Sequence, residues 1–270
     1  MLYYLGPRGS FTEKAGKVFS KLTSLPLQPT STIYEIFENV DKNNAYGVVP
    51  SENSIEGSVT LTQDLLLEYD VKILGEVDID INHNLVGYNK DKIEIVISHP
   101  QALAQCRKYI KEHGWKTKAV SSTAKAAEIV AKKKDERLGA IASIEAAKLY
   151  GLKVLDRNIQ DYKNNKTRFI LIGKKTPKFN AEPIAYKTTI IIELKEDRPG
   201  ALYHILKKFA ERNINLTRIE SRPSKKRLGV YVFYIDFESH GDEKELFESL
   251  NKNVAYMKYL GTYPVFRKYI

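Results

Sequence analysis

Through the first 172 residues, apolar runs of four or five residues alternate with longer amphipathic stretches. This rhythm predicts strands separated by helices and an α/β domain around a mostly parallel sheet. Strands are expected at Leu2–Leu5, Tyr46–Val49, Ile93–Ile97, Leu138–Ala142 and Arg168–Ile172. Helix starts are marked chemically. Ser10-Phe11-Thr12-Glu13 and Thr32-Ile33-Tyr34-Glu35 both have the form of a capping box, in which a hydroxyl and a carboxylate satisfy free backbone amides. Gly151 stands where the residue after a helix ending at Tyr150 should adopt a left-handed conformation.

The pattern breaks after residue 172. Gly173 to Pro183 carries two prolines and several charges without periodicity, so a linker is expected, placed at 175–187. Beyond it the order is strand (Thr189–Leu194), helix (Ala201–Arg212), strand (Leu216–Arg222), strand (Gly229–Glu238), helix (Asp242–Asn251) and strand (Val254–Tyr263). That βαββαβ order predicts a second, ferredoxin-like domain.

Composition narrows the class without choosing a function. At 270 residues and 43% hydrophobic content, the chain can bury one large core or two moderate ones. A single cysteine, Cys106, cannot form an intramolecular disulfide, so a reducing cytoplasm is expected. The N-terminus lacks a signal-peptide pattern, and no uncharged apolar run approaches the ~20 residues that span a bilayer. The formal charge of +10 suits nucleic acid, anionic lipid or a small anionic substrate alike. Its longest basic run, Lys132 to Lys134, ends a helical pattern, where cations complement the helix dipole.

Candidate chemistry sits at helix starts. Gly6-Pro7-Arg8-Gly9-Ser10 joins a strand to a helix, a layout whose free amides can face an anion, although an ordinary tight turn reads the same way. Pro50 to Val59, with Ser51, Asn53, Ser54 and Ser58, clusters donors at a strand's carboxyl end, the edge where open α/β sheets bind ligands. Ser98-His99-Pro100-Gln101, Ser121-Ser122-Thr123 and Ser143 repeat the grammar, each alone being an ordinary cap. Asn158 to Asp161 and then Asn165-Lys166-Thr167-Arg168-Phe169 bring a hydroxyl, a carboxylate fork and an apolar wall together. The five histidines lack metal-ligand spacing; His99, the most site-like, reads as a helix-start residue.

In this order the pieces resemble the prephenate dehydratase family. The carriers are Gly6 to Phe11, Pro50 to Ser54, Ser98 to Cys106, Asn158 to Asp161 and Asn165 to Phe169. Asp197-Arg198-Pro199-Gly200-Ala201-Leu202 and Glu220-Ser221-Arg222-Pro223 resemble its phenylalanine-binding regulatory ACT domain. Arg8 stands where relatives often carry an acid, and Ser51 where an apolar residue is common.

The resemblance implies a two-lobed, periplasmic-binding-protein-like catalytic domain at 1–174, with lobe one at about 1–76 plus 167–174 and lobe two at about 77–166. An ACT domain is implied at 188–270. It implies catalytic roles for Thr167, Arg168 and Phe169, with Arg168 near a substrate carboxylate and Phe169 beside the ring. Asn53, Ser54, Ser98, Gln105, Ser122 and Thr123 would bind prephenate. Phenylalanine would lie near Gly200, Ala201 and Leu202, and near Glu220, Ser221, Arg222 and Pro223 of a neighbour. A cytoplasmic homodimer or homotetramer without metal or cofactor is expected, with no chorismate mutase segment ahead of residue 6. An arogenate dehydratase would share these motifs. A non-catalytic small-molecule-binding regulator is the other reading, but the scattered basic residues do not line a DNA-reading helix.

Overall fold

The computed structural model describes residues 1–225, 229–239, 241 and 243–267. The chain begins β1 (Leu2–Leu5), α1 (Phe11–Thr23), β2 (Leu27–Thr30), α2 (Ile33–Asn43), β3 (Tyr46–Asn53), β4 (Gly57–Ser58), α3 (Thr60–Glu68) and β5 (Lys72–Asp80). Its middle holds β6 (Asn84–Gly87), β7 (Ile95–Ser98), α4 (Pro100–Gln105), α5 (Arg107–Glu112), β8 (Lys116–Ala119), α6 (Thr123–Lys133), β9 (Leu138–Ala142), α7 (Ile144–Leu149) and β10 (Lys153–Asp156). After β11 (Lys166–Gly173) come β12 (Ala185–Leu194), α8 (Ala201–Ala210), β13 (Leu216–Pro223), β14 (Tyr231–Glu238), α9 (Lys244–Asn251) and β15 (Val254–Phe266).

Two sheets result. The smaller has the order β10-β6-β9-β7-β8. The larger runs β13-β14-β12-β15-β5-β11-β3-β1-β2, with β4 on β3, and so continues through both halves of the chain. Its core strands are not mostly parallel as expected. β1 lies parallel to β2 and β3, but β11 is antiparallel to both β3 and β5. The reason is topological: β11 returns from the second sheet and fills the slot between two strands already laid down. Pairing of Lys166 with Asp80 keeps β5 in the large sheet to residue 80, four beyond the expected crossover.

Local chemistry explains the helix starts. Ser10 and Thr32 accept hydrogen bonds from the Glu13 and Glu35 amides. Both glutamates reach one residue further back than a capping box requires, to the amides of Gly9 and Ser31. Phe19 and Leu22 of α1, and Ile36, Phe37 and Val40 of α2, are buried at helical spacing. Gly151 is left-handed at φ 67.

The expected linker is packed. Phe179 packs on Phe266 against the first core with the rings tilted at 47° and their centroids 4.8 Å apart, the Asn180 amide donates to the Leu22 carbonyl, and β12 begins at Ala185. The prolines end regular structure but leave two apolar residues to bury. The ferredoxin-like order is present. Asp242, the first residue expected in its second helix, lies outside the described residues. One apolar cluster joins the halves, with Tyr234, Leu260 and Tyr263 of the second packed among Phe37, Leu65 and Ile73 of the first.

Candidate functional site

Thr167 opens β11 and pairs with Asn53 at the end of β3. The Asn53 amide nitrogen donates to the Thr167 hydroxyl at 2.9 Å and to the Asn165 side-chain oxygen at 2.8 Å. Its orientation is dictated locally, because the Asn53 carbonyl oxygen accepts from the Ile55 and Glu56 amides at 3.0 and 3.2 Å. The direction then propagates. Asn165, whose oxygen is occupied, donates its amide to Gln105 Oε1 at 2.8 Å, and His83 Nε2 meets the same oxygen at 2.9 Å. Gln105 Nε2 reaches Glu56 at 3.4 Å.

This cluster spans the lobes. Asn53 and Thr167 lie on the large sheet, Gln105 on α4, and His83 and Asn165 on the two crossings between sheets. The crossings are tied together by the Ile81 amide on the Asn165 carbonyl at 2.8 Å, and by Ile159 on His83 at 2.9 Å. Thr167 is 8% exposed, and among the described residues its hydroxyl has one hydrogen-bond partner, Asn53. Its proton is therefore free for a ligand.

Strand alternation separates the expected catalytic run. Residues 167 and 169 point to one face of β11 and 168 to the other. Arg168 turns toward Glu52 at 3.0 Å, Glu76 at 3.5 Å and Asp236 at 3.6 Å. It thus meets three protein carboxylates on the face opposite Thr167, and a role beside a substrate carboxylate does not fit. Nε and Nη1 approach without hydrogen-bond alignment, and Glu76 Oε2 also lacks a partner among the described residues. Burial pushes the Glu76 carboxyl up, against the charges of Arg168 and Lys187. Phe169 is 2% exposed within the core behind the cluster, so it supports the floor of the site and offers no face to a ring.

Of the other expected residues, only Asn53 and Gln105 join Thr167. Ser54 donates to the Asn164 carbonyl and accepts the Lys166 amide, strapping two loops together. Ser98 is buried with its hydroxyl on the Ile141 carbonyl, Ser122 caps α6, and Thr123 is the half-buried first residue of that helix. The helix starts at Ser10 and Ser143 meet across the sheets, where the Ser143 hydroxyl donates to the Gly9 carbonyl at 2.8 Å. The sequence marks Asn165 and Glu56 only as members of longer motifs, with no role of their own, and gives His83 none. A histidine between Ile81 and Leu85 was the visible signal for that residue.

In the second half, Gly200 is left-handed at φ 82, and a side chain there would meet only His204, at 4.0 Å. Ala201 and Leu202 begin α8, half-buried. Alternation along β13 leaves Ser221 and Pro223 exposed while turning Glu220 and Arg222 inward. Glu220 accepts from Ser58 and Arg218, and Arg222 forks onto Asp64 at 2.7 and 3.2 Å. Those two expected ligand residues therefore bind the first half of the chain.

Comparison with known proteins agrees with this architecture. The family described as prephenate dehydratase matches residues 2–177, and the ACT domain family matches 188–255. A prephenate dehydratase of Methanocaldococcus jannaschii is 63% identical over 97% of this chain and 97% of its own length. Among solved structures, a prephenate dehydratase of Arthrobacter aurescens in complex with L-Phe superposes with a TM-score of 0.82. It is 33% identical over 97% of this chain and 89% of that one. A structure titled GqqA, a novel type of quorum quenching acylases, gives 0.83 at 28% identity over 98% and 97%.

Proposed function

The chain belongs to the prephenate dehydratase family, and from that premise we propose how its residues carry out the reaction. It is a carbon–oxygen lyase that converts prephenate to phenylpyruvate, water and carbon dioxide, and phenylalanine feeds back on it through the ACT domain.

In the reaction, the electron pair of the breaking ring carbon–carboxylate bond moves into the ring and expels the hydroxyl on the opposite carbon. Thr167 donates its hydroxyl hydrogen to that departing oxygen. A threonine is too weak an acid to surrender its proton outright, so it relays one, and the net proton comes from solvent. Aromatisation supplies the driving force, and acid assistance of this kind contributes about 10²- to 10⁴-fold. The observation that carries this reading is the fixed Asn53 amide on the Thr167 oxygen, which leaves the Thr167 proton for the substrate. Asn53 and Gln105 surround the donor with neutral amides, which leave the reacting carboxylate less stabilised than an ion pair would and favour its loss.

Thr167→Ala tests it: kcat should fall by about 10²-fold or more at unchanged thermal stability, and a folded variant within a few-fold of wild type ends the assignment. Supplying purified protein with prephenate and, separately, arogenate measures substrate preference in the same assay.

We further propose that phenylalanine binds at Gly200, Ala201 and Leu202 against Ser221 and Pro223 of a second copy, both exposed on β13. Glu220 and Arg222 transmit its presence to Ser58 and Asp64. An oligomer is supported by β13, an edge strand of the large sheet with exposed Ile219, since unpaired edges invite pairing. A reducing, cytoplasmic setting is supported by Cys106, a free thiol that burial pushes up to about 12.

A further inference from the structure

His83 occupies the crossing after β5, 3% exposed, with its ring edge-on to Phe11 at 6.0 Å. The direction of the amide cluster settles its tautomer. Gln105 Oε1 already accepts from Asn165, so the His83 nitrogen facing it is a donor, Nε2–H. Burial holds the ring neutral by pushing its basicity down, and Nδ1 is then a bare lone pair. That Nδ1 is buried without a hydrogen-bond partner among the described residues. Packing alone does not account for the imidazole, because an apolar side chain in the same space would leave no orphaned acceptor.

We infer that His83 is a positioning residue for Thr167, acting through Gln105, Asn165 and Asn53, an assignment that rests on the donor role proposed above for Thr167. The cluster is held at two ends. Two backbone amides pin Asn53 at one, and at the other Gln105 is held between His83 Nε2–H and the Glu56 carboxylate, which accepts from its amide at 3.4 Å. If Gln105 turned, its amide nitrogen would face the Asn165 amide, and two donors would confront each other. Asn165 would turn in consequence, and its amide would oppose that of Asn53. Asn53 could relieve the conflict only by presenting its oxygen to Thr167, which would then spend its proton inside the protein. His83 and the acceptor-only Glu56 carboxylate together oppose the first step of that sequence, and His83 touches no reacting atom.

Three substitutions separate this role from a structural one. A glutamine amide can reach the place of Nε2 and donate to Gln105, whereas an asparagine amide reaches only the place of Nδ1. His83→Leu and His83→Asn should lower kcat roughly 100-fold, the usual scale for a reacting group displaced by about 1 Å. KM should stay near wild type, and His83→Gln should restore kcat to within about threefold. Melting temperatures are measured alongside, and if His83→Leu does not fold, the contrast between glutamine and asparagine decides. The inference is overturned if His83→Asn keeps wild-type kcat, if His83→Gln is as impaired as His83→Asn, or if the loss lies in KM. Thr167→Ala is assayed in parallel. An inactive Thr167→Ala beside an active His83→Asn removes the positioning role alone, and an active Thr167→Ala removes the donor role with it.

Discussion

A hydroxyl oxygen that already accepts one hydrogen bond donates its own proton more readily, and at Thr167 the Asn53 amide supplies that bond at 2.9 Å. Asn53→Asp is nearly isosteric and puts a carboxylate oxygen where the amide nitrogen stood. Thr167 would then donate to Asp, so kcat should drop about 10²-fold, measured in steady-state assays with prephenate. Arg168, the next residue, gives the opposite kind of prediction. Its guanidinium lies among Glu52, Glu76 and Asp236, and Lys187 reaches only Glu76. Arg168→Gln leaves Glu76 with Lys187 alone and Asp236 with Arg218 alone, and should cost about 3 kcal/mol of stability. Urea unfolding checks that; a midpoint equal to wild type would show that the carboxylates need no such cation.

Elements decide what those residues can touch. The two-residue period of β11 is why Thr167 reaches the amide cluster and Arg168 the ACT domain, one position apart. β15 is the other deciding element. It pairs with β12 along the ACT sheet and then with β5 through Val265 and Phe266, joining the two halves. Gly261 sits at its bend with φ 129, and a Cβ there would lie 2.7 Å from the Ile73 carbonyl oxygen. Gly261→Ala therefore combines an unfavourable backbone conformation with a backbone clash. It should cost about 2 kcal/mol or more, read as a lowered Tm in thermal denaturation.

At the scale of the molecule, charges and apolar packing both hold the ACT domain to the catalytic domain. Burial raises the Asp64 carboxyl, but hydrogen bonds and charge from Lys225 and Arg222 outweigh it and hold the group below its ordinary 3.8. Ser58 and Arg218 do the same for Glu220, against burial. An acid whose folded value is depressed contributes stability that is complete above its unfolded value and is lost as pH falls through the folded one. The Tm deficit of Asp64→Asn should accordingly be largest near neutrality and shrink below the ordinary 3.8. A deficit independent of pH would mean that the carboxylate charge contributes nothing. Tyr234, donating to the Gln63 carbonyl at 2.7 Å, and the shared apolar cluster persist at any such pH.

The amino-acid sequence by itself determined the helix starts, the ferredoxin-like order and the motifs of the dehydratase family, because capping hydroxyls, hydrophobic period and contiguous motifs are local signals. β8 escaped that reading because Lys116 to Ala119 carries no apolar run, and β5 because Glu76 interrupts its apolar stretch. Only the tertiary structure decided that Arg168 faces the ACT domain and that Phe169 is core. It also decided that Glu220 and Arg222 bind the catalytic domain, and that His83 joins Gln105 and Asn165. Each of these depends on a strand face or a partner many positions away. A sequence fixes what a side chain can donate or accept, while the returning strand and the crossings between sheets fix what lies opposite it.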